Sequence, residues 1–251
     1  MKPCKADLVR REVRKEVRIA VHIGFFLLFL LATVPAYCQR GTLDLNVGQV
    51  SDQFGALPSV SGAVVDIDGQ VAIFKANAKT GRPAIVGGGE IRAPFDTNQH
   101  AKELAVFGGV VFGAHNFSVE VDGEVRRIYT PPANVSGEIF NRSRMQLFEL
   151  PVTLKYKFGP DKRAFISIKG EPEFTPHFKA SSLATVALPN PGFDHGYMLR
   201  GSAGYDFGKW WYVKATYETR YFKFNPNDIG NPNNLYNWKS NLITGGVGVR
   251  F

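Results

Sequence analysis

Period-two alternation of apolar with polar or small residues is the feature that most limits what this chain can fold into. It is clearest in the last eleven residues, 241–251. One face carries Ile243, Gly245, Val247, Val249 and Phe251, and the other carries Leu242, Thr244, Gly246, Gly248 and Arg250. Successive side chains of a strand point to opposite sides, so the pattern predicts a β-strand. Its length suits a tilted strand that crosses a membrane, with the apolar face toward lipid and the other toward a barrel lumen.

The first 38 residues have the organisation of a secretory signal peptide. Seven basic residues precede the apolar run 19–34, and small residues at Ala36 and Cys38 suit cleavage before Gln39. Cleavage after Ala36, an uncleaved anchor helix and a lipid-modified Cys38 are the alternatives. We therefore predict a signal peptide at 1–38 and one exported domain at 39–251.

Removal of residues 1–38 changes the chemical inventory of the protein. The segment contains seven basic and three acidic residues, so 23 basic and 19 acidic residues remain, for a net charge of +4 rather than +8. Both cysteines, Cys4 and Cys38, leave with it, which excludes a disulfide framework or a thiol nucleophile in the exported chain. The remaining basic residues are dispersed, and we expect no nucleic-acid partner.

The exported chain shows the same alternation repeatedly, and we predict eight strands. They span 42–49, 84–95, 103–114, 145–158, 163–178, 196–207, 210–224 and 241–251. The predicted connections alternate between long (50–83, 115–144, 179–195, 225–240) and short (96–102, 159–162, 208–209). Short turns on the periplasmic side and long loops outside are typical of outer-membrane barrels. Residues 60–74 are apolar enough to form two further strands, which would make ten.

Aromatic residues on the apolar faces support the same topology. Those expected at the short-turn rim are Phe95, Tyr156, Phe158, Tyr205, Phe207, Trp211 and Phe251. Those expected at the opposite rim are Phe174, Phe178, Tyr197, Tyr217 and Tyr221. Two aromatic belts are expected where amphipathic rings lie at the level of lipid headgroups.

The polar faces predict a charged barrel interior. The residues expected to form a lumen charge network are Glu90, Arg92, Lys155, Lys157, Lys169, Glu171, Glu173, Arg200, Asp206, Lys214, Glu218, Arg220 and Arg250. An eight-stranded lumen is only wide enough to be filled by side chains, and a lone buried charge is costly. We therefore expect salt bridges to plug the lumen, with Gly246 and Gly248 leaving room for long side chains. A narrow conduit for small solutes is the alternative.

The pattern over 39–251 resembles the small OmpA/OmpX-like eight-stranded outer-membrane β-barrels. The resemblance lies in the architecture and in the last strand, which ends on Phe251. It implies that Phe251, Val249 and Val247 are recognised by the barrel-assembly machinery. It also implies an integral, all-β, antiparallel up-and-down barrel in the outer membrane, with lipid as its surroundings and an extracellular ligand at the long loops as a candidate partner.

Catalysis is the remaining functional hypothesis. Some small outer-membrane barrels are hydrolases, and Asp194-His195 lies at the predicted outer rim, where an Asp–His pair could activate water. His177, with Ser181 and Ser182, is a candidate Ser–His set. No geometry fixes either set, so we expect no enzyme activity, no cofactor and no metal. The segment 66–69 has only part of a Ca²⁺-loop pattern and is expected to be a turn. A soluble exported β-sandwich is the non-membrane alternative.

Overall fold

The computed structural model describes residues 41–76, 82–114, 116–131, 133–135, 138–140, 144–179, 192–225, 234 and 236–251. The predicted signal peptide lies outside the described residues, and so do Ser181 and Ser182. In the described part of the chain, no helix is both long and apolar enough to cross a membrane.

Strands dominate the described residues. They are β1 Gly41–Phe54, β2 Val60–Phe74, β3 Ala84–Pro94, β4 Lys102–Ala114, β5 Phe117–Tyr129, β6 Ala133–Val135, β7 Glu138–Phe140, β8 Arg144–Glu149, β9 Val152–Phe158, β10 Ala164–Lys179, β11 Phe193–Asp206, β12 Trp211–Phe224 and β13 Trp238–Arg250. A single 3₁₀ turn, Pro160–Lys162, joins β9 to β10. The short strands β6 and β7 form a separate hairpin within one connection.

The main sheet closes into an up-and-down barrel of ten strand positions. β1 pairs with β2 on one side and with β13 on the other, both antiparallel. The pairing of β1 with β13 runs from Thr42 opposite Arg250 to Phe54 opposite Trp238, and it closes the barrel between the first and last strands. β8 and β9 follow one another between β5 and β10 and occupy one position. Pro151, which lacks an N–H, lies in the gap between them.

The expectation of eight strands was wrong. β2 and β5 both lie within segments predicted to be long loops, 50–83 and 115–144. The ten-strand alternative has the right number for a different reason, because 60–74 forms one strand rather than two and β5 supplies the other. Asp66 and Asp68 consequently lie in β2 and not in a turn.

The extra strands also reverse part of the predicted topology. We call the end that carries Gly41 and Phe251 the terminus end, and the end that carries connections 55–59, 95–101, 130–143, 180–192 and 225–237 the loop end. Because β2 returns to the terminus end, β3 runs from the terminus end to the loop end, and Phe95 lies at the loop end. The prediction that Phe95 lies at the short-turn rim together with Phe251 was therefore wrong. Tyr205 and Phe207 do meet at the terminus end, with ring centroids 5.3 Å apart.

Polarity in this barrel is inverted relative to a soluble domain. Leu45, Val47 and Val106 on the outer wall are each more than half exposed, whereas Arg126 inside the barrel is 0% exposed. Alternation sends apolar side chains out and charged ones in along every long strand. The wall therefore presents a continuous apolar surface, and the interior is held together by polar contacts.

The loop end of the lumen is filled by an apolar cluster. It consists of Ala101, Ile128, Met145, Leu147, Phe222, Phe224 and Trp238, with Phe54, Phe193 and Tyr236 packed against it. The Trp238 ring stacks on Phe222 at 5.5 Å and on Phe54 at 5.9 Å. The strand members of this cluster lie an even number of positions from the inward-pointing Arg126, Glu149, Arg220 and Ser240. Since side chains alternate along a strand, they also point inward. The cluster lies inside the barrel at that end.

Candidate functional site: the charged barrel lumen

Arg126 on β5 is the centre of the interior charge network. Its guanidinium contacts Glu124 at 2.5 Å, Glu103 at 2.9 Å and Glu149 at 3.2 Å. A further contact at 3.3 Å joins it to Glu90 on β3. Alternation on β3, β4, β5 and β8 sends all four carboxylates inward, where one planar guanidinium with five donors can serve them.

Arg92 and Arg200 tie opposite walls of the barrel together. Arg92 on β3 donates two hydrogen bonds to Glu218 on β12, at 2.7 and 2.8 Å, in the fork arrangement that planar guanidinium and carboxylate groups favour. It also contacts Glu103 at 2.9 Å. Arg200 on β11 contacts Glu90 at 2.6 Å and Glu218 at 2.6 Å. These bonds cross the lumen at that level.

Arg220 joins the charge network to the apolar cluster. It contacts Glu103 at 2.5 Å, and its guanidinium carbon lies 5.8 Å from the centroid of the Trp238 ring. Trp238 in turn donates from Nε1 to Asp52 at 3.0 Å. Asp52 also accepts from the backbone N–H of Ala101 at 3.4 Å and contacts Nδ1 of His100 at 3.0 Å. Asp52 thus fastens connection 95–101 to the barrel wall.

A second group of charges lies toward the terminus end. Arg250 contacts Asp206 at 2.5 Å and Lys157 contacts the same carboxylate at 3.3 Å. Lys214 pairs with Asp44 and, at 2.8 Å, with Asp68. The Tyr212 hydroxyl donates to Asp44.

Gly246 and Gly248 are required by close approach, as the sequence predicts. A Cβ at Gly248 would overlap the Tyr212 ring and the Asp44 carboxylate. One at Gly246 would overlap β1 at Leu45 and Asn46. Long neighbouring side chains therefore occupy the volume that larger residues would take here.

The structure places the predicted lumen residues as follows. Ion pairs are made by Glu90, Arg92, Lys157, Lys169, Glu171, Arg200, Asp206, Lys214, Glu218, Arg220 and Arg250. Lys155 lines the lumen but has no carboxylate within 4.0 Å among the described residues. The Glu173 side chain lies outside the described part of the structure.

Sequence reasoning missed several buried members of the network. Asp66, Glu103, Glu124, Arg126 and Glu149 were not among the predicted lumen residues, although all are buried. For two of them, Glu124 and Arg126, the signal was present. In the segment 119–126, Val119, Val121 and Val125 alternate with Glu120, Asp122, Glu124 and Arg126. The alternation was hidden because a polar segment ending in two prolines was interpreted as a loop.

A cavity of about 190 Å³ occupies the half of the lumen nearer the terminus end. Glu90 and Arg200 border it toward the charge network, and Asp44, Tyr212 and Lys214 border it near the termini. Its walls also include Phe107, Phe165, Thr153 and Ser167. The cavity and the charge network around Arg126 therefore share Glu90 and Arg200 as a common border.

Three buried carboxylates have a spacing that suits a cation. Oxygens of Glu124, Glu149 and Glu171 lie within 4.8 Å of one another. Arg126 and Lys169 already supply positive charge here, since Lys169 contacts Glu124 at 3.1 Å and Glu171 at 2.5 Å. Cations of the protein itself thus already pair with these acids.

The rim residues considered for catalysis are exposed. His195 Nδ1 lies 3.3 Å from Asp194, and Lys223 Nζ lies 3.1 Å from the other oxygen of the same carboxylate. Asp194 lies beyond Tyr197, outside the apolar band, and hydrogen bonds from Lys223 and His195 lower the pKa of its carboxyl. The side chain of His177 lies outside the described part of the structure.

The last strand has a regular environment. Val247 and Val249 pair with Leu45 and Leu43 on β1, and Val247 points outward. Phe251 and Gly41 exchange backbone hydrogen bonds of 2.7 and 3.1 Å. The Phe251 ring covers the position that a Cβ of Gly41 would take.

No family model matches the chain, and a search of curated proteins finds no match. Solved structures similar to it include a KdgM porin, at 12% identity and a TM-score of 0.35, covering 84% of this chain and 99% of that one. Another is the translocator domain of the autotransporter NalP from Neisseria meningitidis, at 11% identity and 0.37, covering 95% and 98%. A third is Ail, the attachment invasion locus protein of Yersinia pestis, at 10% and 0.25, covering 85% and 99%. Similarity at this level does not support a functional inference. The fold is assigned from the strand pairing described above.

Proposed function

We propose that this protein is an integral outer-membrane β-barrel with a structural or surface-interaction role. The observation that carries the proposal is the inverted polarity of the barrel, with exposed Leu, Val, Ile and aromatic side chains outside and buried Arg and Glu inside. Such a surface would be unstable in water but suits hydrocarbon, where a closed barrel leaves no unpaired strand edge. The predicted signal peptide agrees with export.

We propose further that the lumen is plugged. The Arg–Glu contacts cross it between β3 and β12, and the apolar cluster around Trp238 fills the loop end. A conducting pore needs a continuous hydrated path, and these two layers, which lie across the lumen, support the plugged lumen. A narrow conduit remains the second candidate, because the cavity near the terminus end already hollows half of the lumen.

The proposed partners follow from the surfaces. Outer-membrane lipid contacts the wall, and the assembly machinery recognises Phe251, Val249 and Val247 on the last strand. Connections at the loop end present the surface for an extracellular ligand. We propose no enzyme activity, since Asp194 pairs with Lys223 as closely as with His195.

Two measurements on the full chain test this proposal. The membrane fraction is run on a gel with and without heating, and a folded barrel should migrate differently from the boiled protein. Purified protein is then placed in a planar bilayer, where we expect no discrete openings. Recovery of the exported protein in the aqueous fraction without detergent would contradict the membrane assignment. Regular openings of nanosiemens size would replace the plugged lumen with the conduit. Phe251→Ala should reduce the heat-modifiable species without reducing export.

A further inference from the structure

Two rows of directly paired residues lie at the loop end of four adjacent strands, β4, β5, β8 and β10. The row nearest the connections consists of Lys102, Tyr129, Arg144 and Lys179. The next row consists of Leu104, Arg127, Gln146 and His177. Together the two rows contain four Lys or Arg residues and one histidine, and no acidic residue. We call these two rows the basic rows.

The basic rows follow directly on the apolar wall of the barrel. Val106, Val125 and Phe148, which are exposed, occupy the neighbouring row on the side of the terminus end. Arg127 is the next exposed residue after Val125 along the outer face of β5. A long basic side chain at the edge of an apolar band packs its methylene groups on that band and keeps its charge at the level of lipid headgroups. The phosphates of membrane lipids lie at that level.

Arg127 has donors that the protein itself does not use. Its Nε donates to Gln146 Oε1 at 3.3 Å. Among the described residues, no carboxylate oxygen lies within 4.0 Å of its guanidinium, and no residue accepts from its terminal nitrogens. Arg126, the next residue on β5, instead contacts several carboxylates inside the barrel. A guanidinium presents its terminal donors in the geometry that a phosphate group accepts.

The opposite wall has a different composition at its loop end. Two rows on β11, β12, β13 and β1 are paired in the same way. They consist of Leu199, Thr219, Asn241 and Ser51, and of Tyr197, Tyr221, Lys239 and Gln53. Only one of these residues is basic, and Lys223 beyond them is paired with Asp194 at 3.1 Å. Positive charge is therefore concentrated on one side of the barrel.

We propose that the basic rows bind the phosphate group of a membrane lipid in the leaflet that the loop end faces. Arg127 is the main contact, and Lys102 and the Tyr129 hydroxyl lie beside it. Strands about 4.8 Å apart make the rows roughly 14 Å wide, enough for a headgroup with more than one phosphate. The partner is a lipid and not a soluble anion, because the apolar wall continues below the rows and can pack against acyl chains. This inference rests on the proposed membrane location.

Native mass spectrometry of the folded full chain in detergent tests the site. The probe is dioleoyl phosphatidic acid, and dioleoylglycerol is its counterpart without the phosphate. Wild type should bind phosphatidic acid about tenfold more tightly, because hydrogen bonds between charged groups contribute that much. The double variant Lys102→Gln/Arg127→Gln should lose most of this preference, and the single variant Arg127→Gln part of it. Lys223→Gln/Lys239→Gln, which removes the same charge from the opposite wall, is the matched control and should bind as wild type does.

Three results would overturn the site. They are equal binding of the two lipids by wild type, unchanged preference in both Arg127 variants, and an equal loss of preference in the matched control. The comparison of the two lipids needs no variant, and the single variant serves if the double variant does not show heat-modifiable mobility. Failure of the membrane location would appear separately, as recovery of the exported protein in the aqueous fraction. A folded barrel in the membrane fraction that does not discriminate between the lipids would remove the lipid site alone.

Discussion

The two halves of the lumen are formed by the same strands, but their inward side chains pack differently. In the central and loop-end half, Arg92, Arg126 and Arg220 each contact two or more carboxylates, and an apolar cluster lies above them. In the terminus-end half, a cavity remains, and Lys155 lies over an aromatic ring with no carboxylate oxygen within 4.0 Å among the described residues. The first half resembles a packed core made of charges, and the second keeps a cavity lined by side chains of both charges.

The difference follows from the length of the inward side chains. Ten strands enclose a wider lumen than eight, so side chains must be longer to meet across it. Arg and Trp reach that far at the level of Arg126 and Trp238. Thr153, Ser167 and Ser202 at the level of the cavity do not. Small inward residues in a wide barrel therefore mark where space is left.

Arg126→Met should produce the largest change in stability. It leaves Glu124, Glu149 and neighbouring carboxylates buried without their shared cation, and removal of one partner of a buried pair costs about 3–5 kcal/mol. Urea unfolding of the barrel in detergent, followed by gel mobility, measures the loss. Arg127→Met, one position along the same strand and exposed, should change the free energy of unfolding by about 0.5 kcal/mol or less. Equal stability of the two variants would contradict a packed charge core.

Asp52→Asn tests the fastening of the loop end. An amide cannot accept from both the Ala101 N–H and His100 while also serving Trp238, so at least one charge-assisted bond is lost. We expect a loss of about 1.5–3 kcal/mol in unfolding free energy. Asp161→Asn, in the exposed turn between β9 and β10, is the control and should be neutral. If both behave alike in urea, Asp52 is not a fastening point.

The residues of the outer wall could be predicted from the sequence because they follow a simple alternation of every second residue. Leu154, Tyr156, Val213 and Val247 are apolar at period two, and the structure places all of them outward. β5 was missed because its inward residues, among them Asp122 and Glu124, made the segment polar overall, whereas the apolar stretch 60–74 that forms β2 was assigned to the long connection 50–83. A charged segment can form a strand when its charged side chains point into the barrel. In β5, only the alternating valines indicated such a strand.

The pairing inside the lumen could not be predicted from the sequence. Parity shows that Arg92 and Glu218 point inward, but they are 126 positions apart in the chain. Which carboxylate meets which guanidinium depends on the number of strands and on their stagger, and the strand number itself was wrong. The solitary state of Lys155 was hidden for the same reason, since every inward lysine has the same sequence pattern.

Gly248→Ala and Gly245→Ala compare the filled interior with the open wall within one strand. A Cβ at Gly248 would overlap Tyr212 and Asp44, whereas one at Gly245 meets nothing within 4 Å. Overpacking of this kind costs about 1–3 kcal/mol, so Gly248→Ala should lower the urea midpoint. Gly245→Ala should leave the midpoint unchanged or raise it slightly. Similar losses at both positions would point to a general intolerance of strand β13 rather than to lumen packing.

Lys155→Met should have the smallest effect on stability and tests the contrast between the two halves most finely. Replacing a partly buried, unpaired ammonium with a methionine side chain of similar length removes a desolvated charge and leaves no carboxylate without a partner. We expect the free energy of unfolding to stay within about 0.5 kcal/mol of wild type or to rise. Lys169→Met lines the same cavity but leaves Glu124 and Glu171 with one cation fewer, so it should lose about 1.5–3 kcal/mol. A loss at Lys155 equal to that at Lys169 would mean that Lys155 has a structural partner in the folded barrel, and the two halves of the lumen would then follow one rule.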